Sequence, residues 1–207
     1  MRHPSRSLST RPRLTRDRLR ELLRAFLPDY LRLADADSAK ELDLDRLDLL
    51  RSEDPAVVAA TVPARRTPNL VTVLVLLQEH PLFPAEISKA ITHHLAQFDL
   101  HVTDPILLSV VLLDGGRPGF NLETTPICRL FDLDLLRIYY LACGLNGLRA
   151  EYYADHPLPL AWALAPYLSV SGNPAALQER CRARIAEAPG LDEARRALLR
   201  SSVDAAG

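Results

Sequence analysis

Arginine is the first residue type here that could do chemistry: Arg2, Arg6, Arg11, Arg13, Arg16, Arg18, Arg20 and Arg24 crowd the first 24 residues against only Asp17 and Glu21. Such a segment can neutralise phosphates, or it can be a solvated tail. A second feature is the polar triplet Gln78-Glu79-His80, which closes a long apolar run. Side chains alternate across a strand, so Gln78 and Glu79 cannot both face one site there. His93 and His94 are adjacent in a helical stretch and point in different directions, so they make no metal pair; His94 fits a packing or hydrogen-bonding role. Lys89 on the same stretch can approach a phosphate, although a lone helical lysine is ordinarily solvated. His101 and Asp104 have no visible partner, and Trp162 lies at core spacing among Leu160, Ala161 and Leu164.

Several chemistries find no support. Cys128, Cys143 and Cys181 are odd in number and far apart, which suits neither a disulfide framework nor a zinc ribbon. There is no phosphate-cradling Walker loop, no Gly-x-Ser-x-Gly elbow and no dinucleotide fingerprint, so no nucleotide cofactor is expected. The longest apolar run, Leu70 to Leu77, is too short to span a bilayer, and the first residues carry arginines without an apolar leader. The expectation is a cytoplasmic chain with no membrane partner. At 207 residues, 48% of them hydrophobic, it should fold around one substantial core despite a net charge of only −1.

The elements that must position these groups follow from periodicity. Thr15 is a good N-cap, and Leu19, Leu22, Leu23, Phe26 and Leu27 repeat at helical spacing until Pro28 stops them. A second helix is expected from Ser38 to about Arg51, followed by Glu53, Asp54 and Pro55. Val57, Val58, Thr61 and Val62, the turn Arg65 to Asn69, and the run Leu70 to Leu77 predict a hairpin leading into a strand covered on both faces. Pro84 opens a helix with Ile87, Ala90, Ile91, Leu95 and Phe98 on one side. Ile106 to Leu113, closed by Asp114-Gly115-Gly116, predicts a second buried strand, parallel to the first through a right-handed crossover. Arg117 to Pro126 reads as a loop, and Ile127 to Tyr140 as an edge strand followed by a turn. Helices are expected at Leu158 to Tyr167, Ala175 to Glu187 and Asp192 to Val203, the last two separated by Pro189-Gly190.

This order of elements resembles the recombination-promoting nuclease (Rpn) and transposase-like family, a branch of the PD-(D/E)XK nuclease-like superfamily. The resemblance runs from about Leu19 to Leu199. It is carried by Phe26-Leu-Pro-Asp29, by Arg46-Leu-Asp-Leu-Leu-Arg-Ser-Glu53, by Leu76-Leu-Gln-Glu-His80 and by Leu108-Ser-Val-Val-Leu-Leu-Asp-Gly-Gly116. Farther on it is carried by Asp155-His-Pro-Leu-Pro-Leu-Ala-Trp-Ala-Leu164 and Leu191-Asp-Glu-Ala-Arg-Arg-Ala-Leu-Leu199. It implies an α/β fold with a restriction-endonuclease-like mixed sheet flanked by helices and a helical C-terminal extension. The domain organisation to match is a flexible Arg-rich arm over 1–15, a nuclease-like domain over 16–168 and the extension over 169–207.

Such nucleases hold Mg²⁺ between carboxylates, so that the ion polarises a scissile phosphate and lowers the pKa of an attacking water. What the resemblance implies for this sequence is uneven. The helix acid falls on Glu53, which outside that resemblance would be an ordinary solvated carboxylate. The strand-two Asp falls on Val57 or Val58, which bind no metal, and Asp54 substitutes only if the strand start is shifted. The strand-three Glu and Gln fall on Gln78 and His80, or, after a one-residue slip, the Glu falls on Glu79. The candidate catalytic set is therefore Glu53, Asp54, Gln78, Glu79 and His80, with Glu53, Asp54 and Glu79 as the metal ligands. Arg11, Arg13, Arg16 and Lys89 are the candidate DNA contacts. Three readings stay open: a DNA-associated relative with an impaired metal site, an active Mg²⁺-dependent DNA endonuclease, and a non-catalytic structural or regulatory protein. A homo-oligomer is compatible with each.

Overall fold

The computed structural model describes residues 13–80, 83–100, 104–130 and 133–207. Helix α1 (Arg16–Ala34) begins as its sequence dictates, with the Thr15 hydroxyl accepting from the Arg18 N–H at 3.3 Å. It does not stop at Pro28. Phe26 leaves helical geometry (φ −130°, ψ 33°), and this kink absorbs the proline, which has no N–H to offer the preceding turn. Continuation lets Tyr30 and Leu31 join Leu19, Leu22, Leu23 and Leu27 in the core.

The helix expected over Ser38 to Arg51 is replaced by three short pieces: α2 (Ala36–Lys40), a 3₁₀ turn (Leu44–Arg46) and strand β1 (Asp48–Leu50). The reason lies in the spacing. Leu42, Leu44, Leu47 and Leu49 are separated by Asp43, Asp45 and Asp48, closer to a strand's period of two than to a helix's 3.6. Asp35 ends α1 and caps α2, accepting from the Asp37 and Ser38 N–H groups at 3.1 Å each.

The hairpin and buried strand form where expected. Strand β2 (Val57–Pro63) runs antiparallel to β3 (Leu70–Gln78), with Val57 opposite Leu76 and Thr61 opposite Thr72. Both faces are covered: Val73, Val75 and Leu77 pack with α1, while Leu74 and Leu76 pack with Ile91 and Leu95. Those last two lie on α3 (Pro84–Gln97), whose start is held by the Glu86 carboxylate accepting from the Phe83 N–H at 2.8 Å. Helix α3 crosses over to β4 (Ile106–Leu112), which is parallel to β3.

The stretch from Arg117 to Tyr140 differs from its expectation. It is a long antiparallel hairpin, β5 (Gly119–Leu130) and β6 (Leu133–Gly144), and β6 inserts beside β4, leaving β5 at the edge. Pro126 disguised it. Proline is tolerated on an edge strand, and the register shifts between Pro126 and Arg129 bend the strand there. Gly144, the last residue of β6, leaves no room for a side chain, because the Arg117 carbonyl lies where a Cβ would stand. The sheet order is β1-β2-β3-β4-β6-β5, a six-stranded mixed sheet flanked by helices.

Helices α4 (Ala150–Asp155), α5 (Pro159–Leu164), α6 (Pro174–Glu187) and α7 (Glu193–Asp204) complete the chain. Leu177, Cys181, Ile185, Leu199 and Val203 from α6 and α7 share one hydrophobic cluster with α1 and α5. Among the described residues no helix is long and apolar enough to cross a membrane.

Candidate functional site

The polar triplet lies where parallel strands β3 and β4 end side by side. Pairing persists beyond both strands, since the Leu113 N–H donates to the Gln78 carbonyl at 2.9 Å and the Asp114 N–H to the Glu79 carbonyl at 3.0 Å. Glu79, His80 and Asp114 are thereby gathered at one sheet end. Gly115 and Gly116, with φ of 75° and 78°, turn the chain away in the left-handed region that glycine alone enters cheaply.

Cations from the start of α1 meet these acids. Arg16 reaches the Glu79 carboxylate at 3.3 Å, and Arg13 lies 3.9 Å from that of Asp114. His80 Nδ1 stands 4.0 Å from the same Asp114 oxygen. The Arg16 Nε is buried and has no acceptor, and the contact with Glu79 is made by Nη2. A cleft of about 270 Å³ opens beside the cluster, lined by Arg13, Leu113, Asp114, Asn146 and Gly147 among others.

Asp54 is elsewhere. It sits in the loop between β1 and β2, where its Oδ1 accepts from the Ala56 N–H at 2.7 Å and its own N–H donates to the Ser52 hydroxyl at 3.2 Å. Its Oδ2 faces His94 Nε2 of α3 across 3.8 Å. His94 is buried, with Nδ1 3.1 Å from the Gln97 side-chain oxygen, so it serves packing and hydrogen bonding.

Side-chain alternation along β3 decides which groups can cooperate. Leu74 and Leu76 face α3, and the half-buried Gln78 continues that row toward the side where Asp54 meets His94. Glu79 continues the row of Val73, Val75 and Leu77 and meets Arg16 of α1. Asp54 and Glu79 thus lie on opposite faces. Glu53 is exposed in a bend rather than on a helix, and among the described residues it makes no hydrogen bond or ion pair. Among the described residues no three His, Cys, Asp or Glu side chains are grouped to hold a metal ion. Glu53, Asp54 and Glu79 as placed do not make the oxygen cage that Mg²⁺ requires.

Of the candidate DNA contacts, Arg13 and Arg16 are engaged with acids, Lys89 is exposed on α3, and Arg11 lies outside the described residues. His101 lies outside them too. Asp114 is the site residue that the sequence concealed, because Asp-Gly-Gly carries a turn signal that accounts for it without chemistry. Asp29 is another. Its carboxylate is buried at the α1 kink, where it accepts from the Leu160 N–H at 3.3 Å and lies 3.5 Å from Arg32. Burial raises its pKa above the ordinary carboxylate value, outweighing the Leu160 N–H and the charges of Arg32, Arg195 and His156.

Compared with protein-family models, with curated proteins and with solved structures, the chain matches none.

Proposed function

We propose that this chain is a non-cleaving relative of the Rpn-type nuclease-like proteins, one that associates with DNA through its arginine-rich N-terminal segment. The observation that carries the non-cleaving half is the separation of Asp54 and Glu79 onto opposite faces of the sheet, with the neutral Gln78 on the side of Asp54. Two-carboxylate metal hydrolysis needs its acids on one side, close enough to share an ion. The element order supports the family reading: a helix, three antiparallel strands, a crossover helix and a fourth strand parallel to the third.

Association with DNA is supported by where the segment enters the fold. Arg13 and Arg16 lie beside the ends of β3 and β4, and Arg2, Arg6 and Arg11 precede them in sequence. Each arginine that neutralises a phosphate releases condensed counterions, which is the driving force for such association.

Two measurements on the full chain test this. Supercoiled plasmid incubated with Mg²⁺ or Mn²⁺ should stay intact, and metal-dependent nicking that disappears in Glu79→Ala would refute the non-cleaving half. Fluorescence anisotropy with a duplex should show affinity falling at least about tenfold between low and moderate salt, as expected for several phosphate contacts. Removing residues 1–12 should abolish most of that binding. Unchanged binding after removal would refute the role of the segment.

A further inference from the structure

The β5–β6 hairpin is covered on one face only. Toward α3, Tyr140 and Ala142 are buried, the Tyr140 hydroxyl donates to Glu123 at 2.9 Å, and the Ser88 hydroxyl of α3 donates to the Pro126 carbonyl at 2.7 Å. On the opposite face the helical layer stops early. Phe120, opposite Cys143 in the register, still meets Tyr30 with ring centroids 6.0 Å apart. The next residues on that face, Leu122 and Tyr139, are 69% and 65% exposed. Farther along β6 on the same alternation, Leu135 and Leu133 at the hairpin's far end are exposed as well.

The size of this face distinguishes it from scattered surface leucines. At about 150–200 Å² for a fully bare side chain of this kind, the four residues expose on the order of 400 Å². That lies among the largest apolar patches of ordinary monomers and is about half of the roughly 800 Å² that each partner contributes to a standard interface, the rest of which is ordinarily a polar rim. Exposed Thr124, opposite Tyr139 in the register, extends it without adding charge. Its chemistry disfavours a nucleic acid, because Arg137 is the only cation among its described residues and already has an interaction of its own. A two-fold contact brings a patch against itself, which a densely charged surface resists and an apolar one with a single, already engaged cation accepts. The face also lies at the open end of the sheet, where β5 has no neighbouring strand.

We propose that two copies of this chain associate through the bare face of the β5–β6 hairpin, Leu122 and Tyr139 of each packing on the hairpin of the other about a two-fold axis. Tyr139 is the anchor. It is a large amphipathic side chain near the centre of the face, the type that dominates interface energetics.

Sedimentation velocity of the full chain tests this. At about 50 µM, a concentration suited to an interface of this size, the chain should sediment as a dimer. Tyr139→Glu and Leu122→Glu should each sediment as monomers with an unchanged far-UV circular dichroism spectrum. Tyr152→Glu, an equally exposed tyrosine on α4, should remain dimeric. If Tyr139→Glu does not fold, the milder Tyr139→Ser is measured instead and should weaken the dimer at least tenfold. A wild-type monomer at this concentration overturns the proposal, including the case in which the face captures a different protein. A folded Tyr139→Glu or Tyr139→Ser that dimerises as the wild type does overturns it equally.

Discussion

Asp54 and Glu79 lie near one end of the same sheet and are turned away from each other, Asp54 toward His94 on α3 and Glu79 toward Arg16 on α1. Strand alternation produces this. Glu79 is one residue beyond the row that faces α3, and one residue is enough to send a side chain to the other side.

Gln78→Glu should therefore do more for metal binding than any change at Glu79, because it adds a carboxylate to the face that Asp54 occupies. The Leu77 N–H donates to the Ala56 carbonyl at 2.7 Å, which fixes the Asp54 loop beside the end of β3. Calorimetric titration with Mn²⁺ should show Gln78→Glu binding at least about tenfold more tightly than the parent, a gain of about 1.4 kcal/mol. Equal titrations for the two proteins would count against the assignment of Gln78 to that face.

Asp29 gives a pH dependence with a definite sign. Its folded pKa is raised above 3.8, so the folded state holds this proton more tightly than the unfolded chain does. The contribution is most favourable below the unfolded pKa and is lost as pH rises from there through the folded pKa. Asp29→Asn keeps an oxygen for the Leu160 N–H and cannot ionise. It should melt at a higher temperature than the parent near about pH 7, with the difference closing toward about pH 3. A lower melting temperature near neutrality would mean that Arg32 and Arg195 outweigh desolvation.

The sequence shows some elements plainly and conceals others for physical reasons. Thr15, Pro84 and the runs ending at Leu77 and Leu113 mark α1, α3, β3 and β4, because caps and continuous β-branched runs are local signals. Strand β1 is concealed because three residues are too few to show a period of their own. Strands β5 and β6 are concealed by Pro126, whose type reads as a loop signal, and one face of the hairpin has no core in its own chain to reveal it. For the site, the clash between Gln78 and Glu79 was legible from alternation alone. The Arg16–Glu79 and Arg13–Asp114 contacts were not, because they join residues far apart in sequence through the packing of α1 on the sheet.

Tyr30 and Ser109 form a buried polar bridge between α1 and β4. Their oxygens are 2.5 Å apart, and Ser109 donates onward to the Leu141 carbonyl of β6 at 3.0 Å, which makes Tyr30 the donor to Ser109. Tyr30→Phe removes one donor and leaves Ser109 bonded, so it should cost about 1 kcal/mol. Ser109→Ala leaves the Tyr30 hydroxyl buried without its acceptor and should cost about 2–3 kcal/mol. The double variant should be less destabilised than the two singles added together. Urea unfolding of the four proteins measures all of these, and strict additivity would show that the two hydroxyls are not coupled.

Arg196 holds the turn between α6 and α7. Its Nη1 donates to the Ile185 and Ala186 carbonyls at 2.6 and 2.7 Å, and its Nη2 to those of Ala188 and Leu191 at 3.3 and 3.2 Å. A helix end leaves its last carbonyls without intrahelical partners, and one planar guanidinium answers several of them here. Arg196→Ala should destabilise the chain by about 2 kcal/mol, since it removes charge-assisted bonds from a largely buried position. Arg196→Lys keeps the charge but replaces the fork with a single ammonium centre, so it should recover less than half of the loss. Full recovery by lysine would show that charge at the α6 C-terminus, rather than the shape of the guanidinium, secures the turn.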